Sequence, residues 1–143
     1  MKLTRFTDYA LRVLIYLGLN EGQRVTIREI SEAYQISRNH LMKVVSNLTR
    51  LGYLDSRRGP GGGLTLARPA SQINLADVIL DMEEDMNLVT CFEVGGNCVI
   101  APVCRLRDAL AESLSAYMST LSNYHLQDLL EPDSGLKGLL RIN

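Results

Sequence analysis

The chain has 143 residues, of which 46% are hydrophobic and 22% are charged, and its formal net charge is −1. This composition is typical of a folded globular domain and excludes wholesale disorder. No uninterrupted apolar run approaches the ~20 residues that a membrane span requires. Asp8 and Arg12 interrupt the apolar amino-terminal stretch, which predicts a helix rather than a secretory signal. We therefore expect a cytoplasmic protein whose three cysteines are free thiols or metal ligands rather than disulfides.

Charge is distributed unevenly along the chain. Residues 1–68 carry a balance of +6, whereas residues 69–143 carry a balance of −7. A basic first half followed by an acidic second half indicates a DNA-contacting module joined to a part with another task. Chance clustering of solvated charges is the alternative explanation.

The first half has the pattern of a helix-turn-helix. Apolar residues at helical spacing predict a first helix over 4–19. Thr26 and Glu29 have the spacing of a capping box, which predicts the start of a second helix. Ser37 can cap a third helix that ends before Gly52. Two helices joined by a tight turn, the second of them longer and basic, are typical of a helix-turn-helix.

A glycine-rich hairpin is predicted directly after the third helix. Residues 53–58 predict a strand, residues 59–63 a turn and residues 64–67 the returning strand. A hairpin in this position is typical of a wing, with Arg57 and Arg58 at its tip and glycines that let the backbone approach a phosphate. The alternative is a plain hairpin without a partner.

The second half predicts a helix over 75–83, a loop over 87–103 and a long helix over 104–122. The apolar stripe of the long helix fits a partner copy, the chain's own domain, or both. A short helix over 126–130 and a tail follow. The fold class is therefore mostly α-helical with a small β-hairpin wing. The predicted units are a winged helix-turn-helix DNA-binding domain, a connecting helix, a cysteine loop, and a dimerisation helix with its tail, over residues 1–68, 69–86, 87–104 and 105–143.

Cys91, Cys98 and Cys104 are the three cysteines of the chain, and all lie within fourteen residues. Their spacing differs from the paired C-x2-C of most structural zinc sites. A glycine-bearing loop can wrap three thiolates around an iron–sulfur cluster, which normally takes four cysteines and would need one further ligand here. Soft thiolates also suit zinc or copper(I). A metal or cluster, a thiol redox switch, and inert cysteines are all compatible with the spacing.

Four segments in this order resemble the family of winged-helix iron–sulfur repressors: FTDYALRVLIYL, SRNHLMKVV, RRGPGGGLTLARP and the loop ending in APVCRLRDAL. The resemblance covers nearly the whole chain. It is strongest to the nitric-oxide-sensing branch, because Arg107 stands where another branch places a cluster-ligating histidine. The resemblance implies a homodimer on palindromic double-stranded operator DNA, with nitric oxide as its signal. It also implies an iron–sulfur cluster, and we favour [4Fe-4S] over [2Fe-2S].

The same resemblance implies a fourth cluster ligand from the first helix of the partner subunit, and Asp8 occupies the matching position. A carboxylate is a hard, weakly held ligand beside soft thiolates, so a small diatomic molecule would reach that iron most easily. From the residues alone, the favourable placement of a negative charge in the first helical turn is the better explanation of Asp8.

Candidate DNA contacts lie at the starts of the second and third helices and in the wing. Asn39 can read adenine and Arg38 can read guanine in the major groove, whereas Lys43 fits a phosphate. Arg58 matches the family's minor-groove arginine, which favours narrow A·T-rich segments. His40 fits either a DNA contact or a solvent-exposed position. The predicted contacts are Thr26, Ser37, Arg38, Asn39, His40, Lys43, Arg57, Arg58, Gly59 and Gly62.

Two rival functions are compatible with parts of the pattern. The first is a regulator of the same fold that senses thiol oxidation, iron–sulfur status or zinc. The second is an enzyme or electron carrier, but the sequence carries no nucleotide-binding glycine motif and no nucleophile–base set. We therefore expect a regulator and not an enzyme.

Overall fold

The computed structural model describes residues 2–142; Met1 and Asn143, the outer ends of the first and last predicted units, lie outside the described residues. Within this range, none of the helices is long and apolar enough to cross a membrane. The helices are α1 (Arg5–Leu19), α2 (Ile27–Tyr34), α3 (Arg38–Arg50), α4 (Leu75–Met82), α5 (Arg105–Leu121) and α6 (Asp133–Leu140), and the strands are β1 (Leu54–Arg57) and β2 (Gly63–Leu66).

α1 is the central helix of the core and packs against α3, α4 and β2. Thr4 caps its start, because the Thr4 hydroxyl oxygen accepts a hydrogen bond from the N–H of Thr7 at 3.2 Å. The predicted apolar periodicity is confirmed, since one face of α1 is buried along its length. The core residues of the first three helices include Ala10, Val13, Leu14, Leu17, Ile30, Leu41, Val44 and Leu48.

The predicted helix-turn-helix is confirmed at its caps and its turn. Thr26 caps α2 and Ser37 caps α3 through their side chains. Between the two helices, Gln35 adopts a left-handed backbone conformation with φ of 54°, and the hydroxyl of Ser31 donates to the carbonyl of Ile36 at 2.6 Å. The left-handed residue ends α2 sharply, which lets α3 start only two residues later.

The predicted hairpin is present, with strand bounds shifted by about one residue. β1 and β2 pair antiparallel from Leu54 with Leu66 to Arg57 with Gly63, so Gly63 belongs to the returning strand and not to the turn. Val25 exchanges two backbone hydrogen bonds with Leu64, at 3.0 and 2.7 Å. This bridge fixes the turn end of β2 to the segment that leads into α2.

In the second half of the chain, α4 and α5 lie on either side of the cysteine loop in sequence and contact each other. Asn74 caps α4, and its side-chain amide donates to the carbonyl of Ser122 at 2.7 Å, which fixes the end of α5 beside the start of α4. The cysteine loop connects the carboxyl-terminal end of α4 to the start of α5. No residue of α5 is buried within the single chain between residues 2 and 142, and Leu106 of its apolar stripe is 66% exposed.

The prediction of an unstructured tail after residue 130 is wrong, because this segment contains α6. Leu140 and Ile142 pack against the core. Leu130, just before the helix, contacts Gly18 of α1 so closely that a Cβ at Gly18 would lie 2.9 Å from the Leu130 side chain. Glycines at two positions of α6 lower its intrinsic helix propensity, and tertiary packing offsets that loss.

Candidate nucleic-acid interface and cysteine loop

The first turn of α3 presents the predicted base-reading residues to solvent. Arg38, Asn39, His40 and Lys43 are all exposed. The opposite face of α3 holds the helix in place, because its apolar residues are buried in the core. The hydroxyl oxygen of Ser37 accepts the N–H of His40 at 3.3 Å, so Ser37 acts as a cap at this end.

His40 is exposed, as one of the two sequence-based interpretations expected, but its ring also contacts an aromatic residue of the same chain. Its ring lies 6.3 Å from the ring of Tyr9, measured between centroids, with 35° between the planes. Tyr9 directly follows Asp8 on α1. The contact therefore joins the helix that carries the candidate cluster ligand to the first turn of α3, where the predicted base contacts lie.

Thr26 is less available to DNA than the sequence suggested. Its N–H and its hydroxyl both donate to one carboxylate oxygen of Glu29, each at 2.6 Å. These two hydrogen bonds lower the pKa of Glu29. Both hydrogen-bond donors of Thr26 are therefore occupied. We expect the free N–H groups of the next residues, at the start of α2, to make the phosphate contact that was predicted for Thr26.

The wing exposes two arginines next to a tight turn. Arg57 ends β1 and Arg58 follows it, and both are exposed. The turn is closed by a hydrogen bond from the N–H of Gly62 to the carbonyl of Gly59 at 2.9 Å. A Cβ at Gly62 would overlap the carbonyl oxygen of Arg57 and lie 2.8 Å from that of Gly59. Glycine is thus required at 62 for the shape of the tip.

A row of three charged side chains that was not predicted from the sequence ends at the start of α3. Glu32 lies 3.7 Å from Arg28 and 3.9 Å from Arg38, and all three side chains are mostly exposed. Exposed pairs of this kind contribute little to stability. Through Glu32, however, they place Arg28, at the start of α2, near the start of α3, which makes Arg28 a further candidate for a phosphate contact. The sequence signal that could have identified Arg28 is its position in the basic first half of the chain.

The cysteine loop holds its three thiols in different settings. Cys91 lies in a short 3-10 turn over Thr90–Phe92 and is half-buried, Cys98 is exposed, and Cys104 lies half-buried at the start of α5. Gly96 approaches Cys91 closely, because a Cβ at Gly96 would lie 3.0 Å from the Cys91 Cα. The chain therefore doubles back between the first two cysteines.

All three cysteines are free thiols. Across residues 2–142, no three cysteine, histidine, aspartate or glutamate side chains lie close enough together to form a preorganised site for a metal ion. The predicted ligands are thus on one loop but are not grouped within a single chain. Three unpaired thiols on one segment are nevertheless the donor chemistry that an iron–sulfur cluster uses, with one ligand to be supplied from elsewhere.

Asp8, the predicted fourth ligand, is engaged within its own helix. Arg12 binds both of its carboxylate oxygens, at 3.1 and 3.0 Å. The two side chains are 44% and 43% exposed, so the carboxylate is accessible from solvent. The guanidinium of Arg12 also lies 5.8 Å from the ring centroid of Tyr34, which connects the pair to α2.

A capped helix-turn-helix followed by a glycine-tipped hairpin defines a winged-helix DNA-binding protein. Residues 3–132 match the Rrf2 family, described as an iron-dependent transcriptional regulator, and the chain belongs to this family. The HTH-type transcriptional regulator NsrR of Bacillus subtilis is 45% identical and covers 99% of both chains. NsrR of Geobacillus kaustophilus is 46% identical and covers 99% of this chain and 97% of its own. The relatives are transcription regulators, in agreement with the expected class.

Solved structures share the fold. CymR, the global cysteine regulator of B. subtilis, has a TM-score of 0.74 at 25% identity, covering 90% of this chain and 95% of its own. The oxidized form of Staphylococcus aureus CymR has a TM-score of 0.73 at 26% identity, covering 92% and 97%. T. potens IscR, at 20% identity, has a TM-score of 0.74 over 92% and 87%. The predicted fold class is confirmed.

Proposed function

We propose that the protein is a nitric-oxide-responsive transcription repressor that binds palindromic operator DNA as a homodimer under the control of an iron–sulfur cluster. The observation that carries this proposal is the position of three free cysteines on one loop, between the winged-helix half and α5. The full-length similarity to regulators named NsrR supports the same assignment.

In this proposal, Cys91, Cys98 and Cys104 hold the cluster, [4Fe-4S] in preference to [2Fe-2S], and Asp8 of the partner subunit completes the ligand set. When bound, the cluster supplies iron that reacts with nitric oxide. Asp8 contributes a hard carboxylate, which is the weakest donor of the four beside soft thiolates. When Asp8 is not a ligand, Arg12 is at hand to pair with it.

The proposed dimer uses the apolar stripe of α5. This helix is about 25 Å long at 1.5 Å per residue, and none of its residues is buried within the described single chain. Apolar residues repeating along one face of an exposed helix favour pairing with a second copy. A two-fold dimer would place two recognition helices about one turn of DNA, ~34 Å, apart.

The proposed operator contacts divide by chemistry. Arg38 and Asn39 read base edges, Lys43 and the start of α2 bind phosphates, and Arg58 enters the minor groove. Loss of the link between Asp8 and the partner's loop lowers operator affinity and relieves repression. A coupling of about 1–3 kcal/mol would change binding 5- to 150-fold.

Substitution of Cys98 tests the proposal. Cys98 is the most exposed of the three thiols, so Cys98→Ala leaves the core intact. We expect this variant to lose iron and to lose the response of operator binding to nitric oxide. A Cys98→Ala protein that binds the operator tightly and still releases it on nitric oxide addition would refute the proposal.

A second candidate function is sensing by thiol oxidation. Free, exposed Cys98 and the likeness to a CymR structure described as an oxidized form favour it. Such a protein, like one with a zinc switch, is colourless, whereas a cluster-bearing protein is brown. Operator binding that responds to peroxide or to zinc in a colourless, iron-free protein would replace the cluster proposal with this one.

A further inference from the structure

Tyr53 connects the base of the wing to the end of α4. Its hydroxyl donates to a carboxylate oxygen of Asp81 at 2.6 Å, although the two residues are 28 positions apart. The Tyr53 side chain is buried, and burial followed by the bond to Asp81 raises its pKa, so the phenol keeps the proton that it donates. Arg68 lies 4.6 Å over the Tyr53 ring and donates to the carbonyl of Gly52 at 3.3 Å.

The last residue of α4, Met82, and the residue that follows the helix, Glu83, contact two further elements of the DNA-binding half. The side-chain amide of Asn47, on α3, donates to the sulfur of Met82 at 3.5 Å. Glu83 accepts two hydrogen bonds from Thr4, from the N–H at 2.8 Å and from the hydroxyl at 3.1 Å. Thr4 is the cap of α1, the helix that carries Asp8 and Tyr9.

Asp81, Met82 and Glu83, here called the α4 junction, thus contact the wing, the recognition helix and α1 in succession. The segment that carries the three cysteines begins directly after the junction. At its other end that segment leads into α5, which is fixed back to the start of α4 through Asn74 and Ser122. Any displacement of the loop's first residues therefore acts on the junction.

We propose that the α4 junction is a positioning element that transmits the conformation of the cysteine loop to the wing, the recognition helix and α1 of the same chain. Asp81 and Glu83 act through Tyr53 and Thr4 and do not touch DNA. The inference rests on the DNA-binding part of the proposed function and needs no particular cluster or signal. Because coupling between two sites is reciprocal, operator binding must also restrain the cysteine loop.

Hydrogen exchange tests this reciprocity on anaerobically purified full-length protein. The probe is a duplex of about 30 base pairs, selected from a random pool by the wild-type protein and long enough for two half-sites. In the wild type, the duplex should slow amide exchange between residues 84 and 104 by about 2- to 30-fold, the span of residue-level couplings. In Tyr53→Phe/Glu83→Ala, this slowing should fall below twofold.

The matched control is Tyr124→Phe/Glu21→Ala, which makes the same chemical changes outside the measured segment, at exposed side chains without hydrogen bonds to other described residues. It should behave as the wild type does. Glu83→Gln in place of Glu83→Ala retains an acceptor for Thr4 and should restore part of the slowing. Far-UV circular dichroism and thermal melting establish that each variant is folded.

Two results would overturn the α4 junction proposal: slowing in the junction variant equal to that of the wild type, or no slowing in the wild type. Two other measurements, the selection of a duplex and the assays of iron and nitric oxide, show whether the proposed function itself fails. If the random pool yields no duplex, the DNA-binding assignment fails and this proposal falls with it. If iron is absent and nitric oxide has no effect, the cluster assignment fails while the exchange result still stands.

Discussion

Asp8 and Arg12 form a two-point ion pair one turn apart on α1, with both carboxylate oxygens engaged at 3.0–3.1 Å. An exposed pair of this type contributes about 0.3–0.5 kcal/mol to folding. The pair is therefore weak enough to open when a metal ion that binds the Asp8 carboxylate more strongly than Arg12 does is present. Breaking the pair so that Asp8 can bind a group on a partner subunit therefore requires little free energy.

Asp8→Ala should separate cluster retention from folding. We expect a loss of at most about 1.5 kcal/mol in the free energy of unfolding, because the substitution removes the exposed pair, about 0.3–0.5 kcal/mol, and the favourable charge in the first turn of α1, about 0.3–1 kcal/mol. The cluster of the proposed holoprotein should be lost to a chelator faster than in the wild type, since one ligand is missing. Urea unfolding and the decay of cluster absorbance measure the two effects. Asp77→Ala, at an exposed position of α4, is the control; equal chelator kinetics in both variants would exclude Asp8 as a ligand.

Glu29 makes the start of α2 sensitive to acid. Its pKa is lowered by the hydrogen bonds from Thr26, so the stabilisation is present above the usual value of 4.5 and is lost as the pH falls through the lowered value. Glu29→Gln should therefore lower stability at pH 7, by about the 1 kcal/mol of a helix cap, and should have a smaller effect at an acid pH well below 4.5. Urea unfolding at both pH values measures this.

Glu21→Gln is the control for Glu29, because Glu21 is exposed at the end of α1 and has no hydrogen bond or ion pair with the rest of residues 2–142. It should be close to neutral at both pH values. An equal destabilisation by Glu29→Gln at pH 7 and at acid pH would show that the charge of Glu29 does not support the cap.

Gly62→Ala should distort the wing without unfolding the core. The added Cβ overlaps the carbonyl of Arg57, and backbone strain of this kind costs about 1–3 kcal/mol. Operator affinity should fall while helix content stays unchanged, as measured by fluorescence anisotropy and circular dichroism. Gly138→Ala, in α6, has nothing within 4 Å of the new Cβ and should keep wild-type affinity. Unchanged affinity in Gly62→Ala would remove the wing tip from the interface.

Asn39 and Lys43 should differ in what they contribute to DNA binding. Asn39→Ala is expected to cost about 1–3 kcal/mol and to relax the preference at one base position. Lys43→Ala should weaken binding to all duplexes alike and reduce the salt slope by about one unit. Dissociation constants on the selected operator and on its single-base variants, over a range of salt, separate the two. Identical profiles would reject the division into base and phosphate contacts.

The helices with strong caps and regular apolar spacing were predictable from the sequence. Thr26 with Glu29, and Ser37, are local signals that do not depend on tertiary structure. α6 was missed because Gly135 and Gly138 weaken the local signal, and its helix depends on packing against the core.

The candidate site was only partly predictable. Exposed residues at the start of α3 follow from helix periodicity, and free cysteines follow from composition. The bonds of Glu83 to Thr4 join residues 79 positions apart, and such contacts leave no spacing pattern in one sequence. For the same reason, grouping of the cysteines with a ligand from a partner subunit is not encoded in any local motif.

The most direct test of the central claim is an absorption spectrum of the anaerobically purified protein, with iron and sulfide assays, during titration with nitric oxide. Operator binding is measured on the same samples. We predict a brown protein whose cluster absorbance falls in step with operator affinity. A protein that stays colourless and iron-free after anaerobic cluster reconstitution, yet binds its operator, would contradict it.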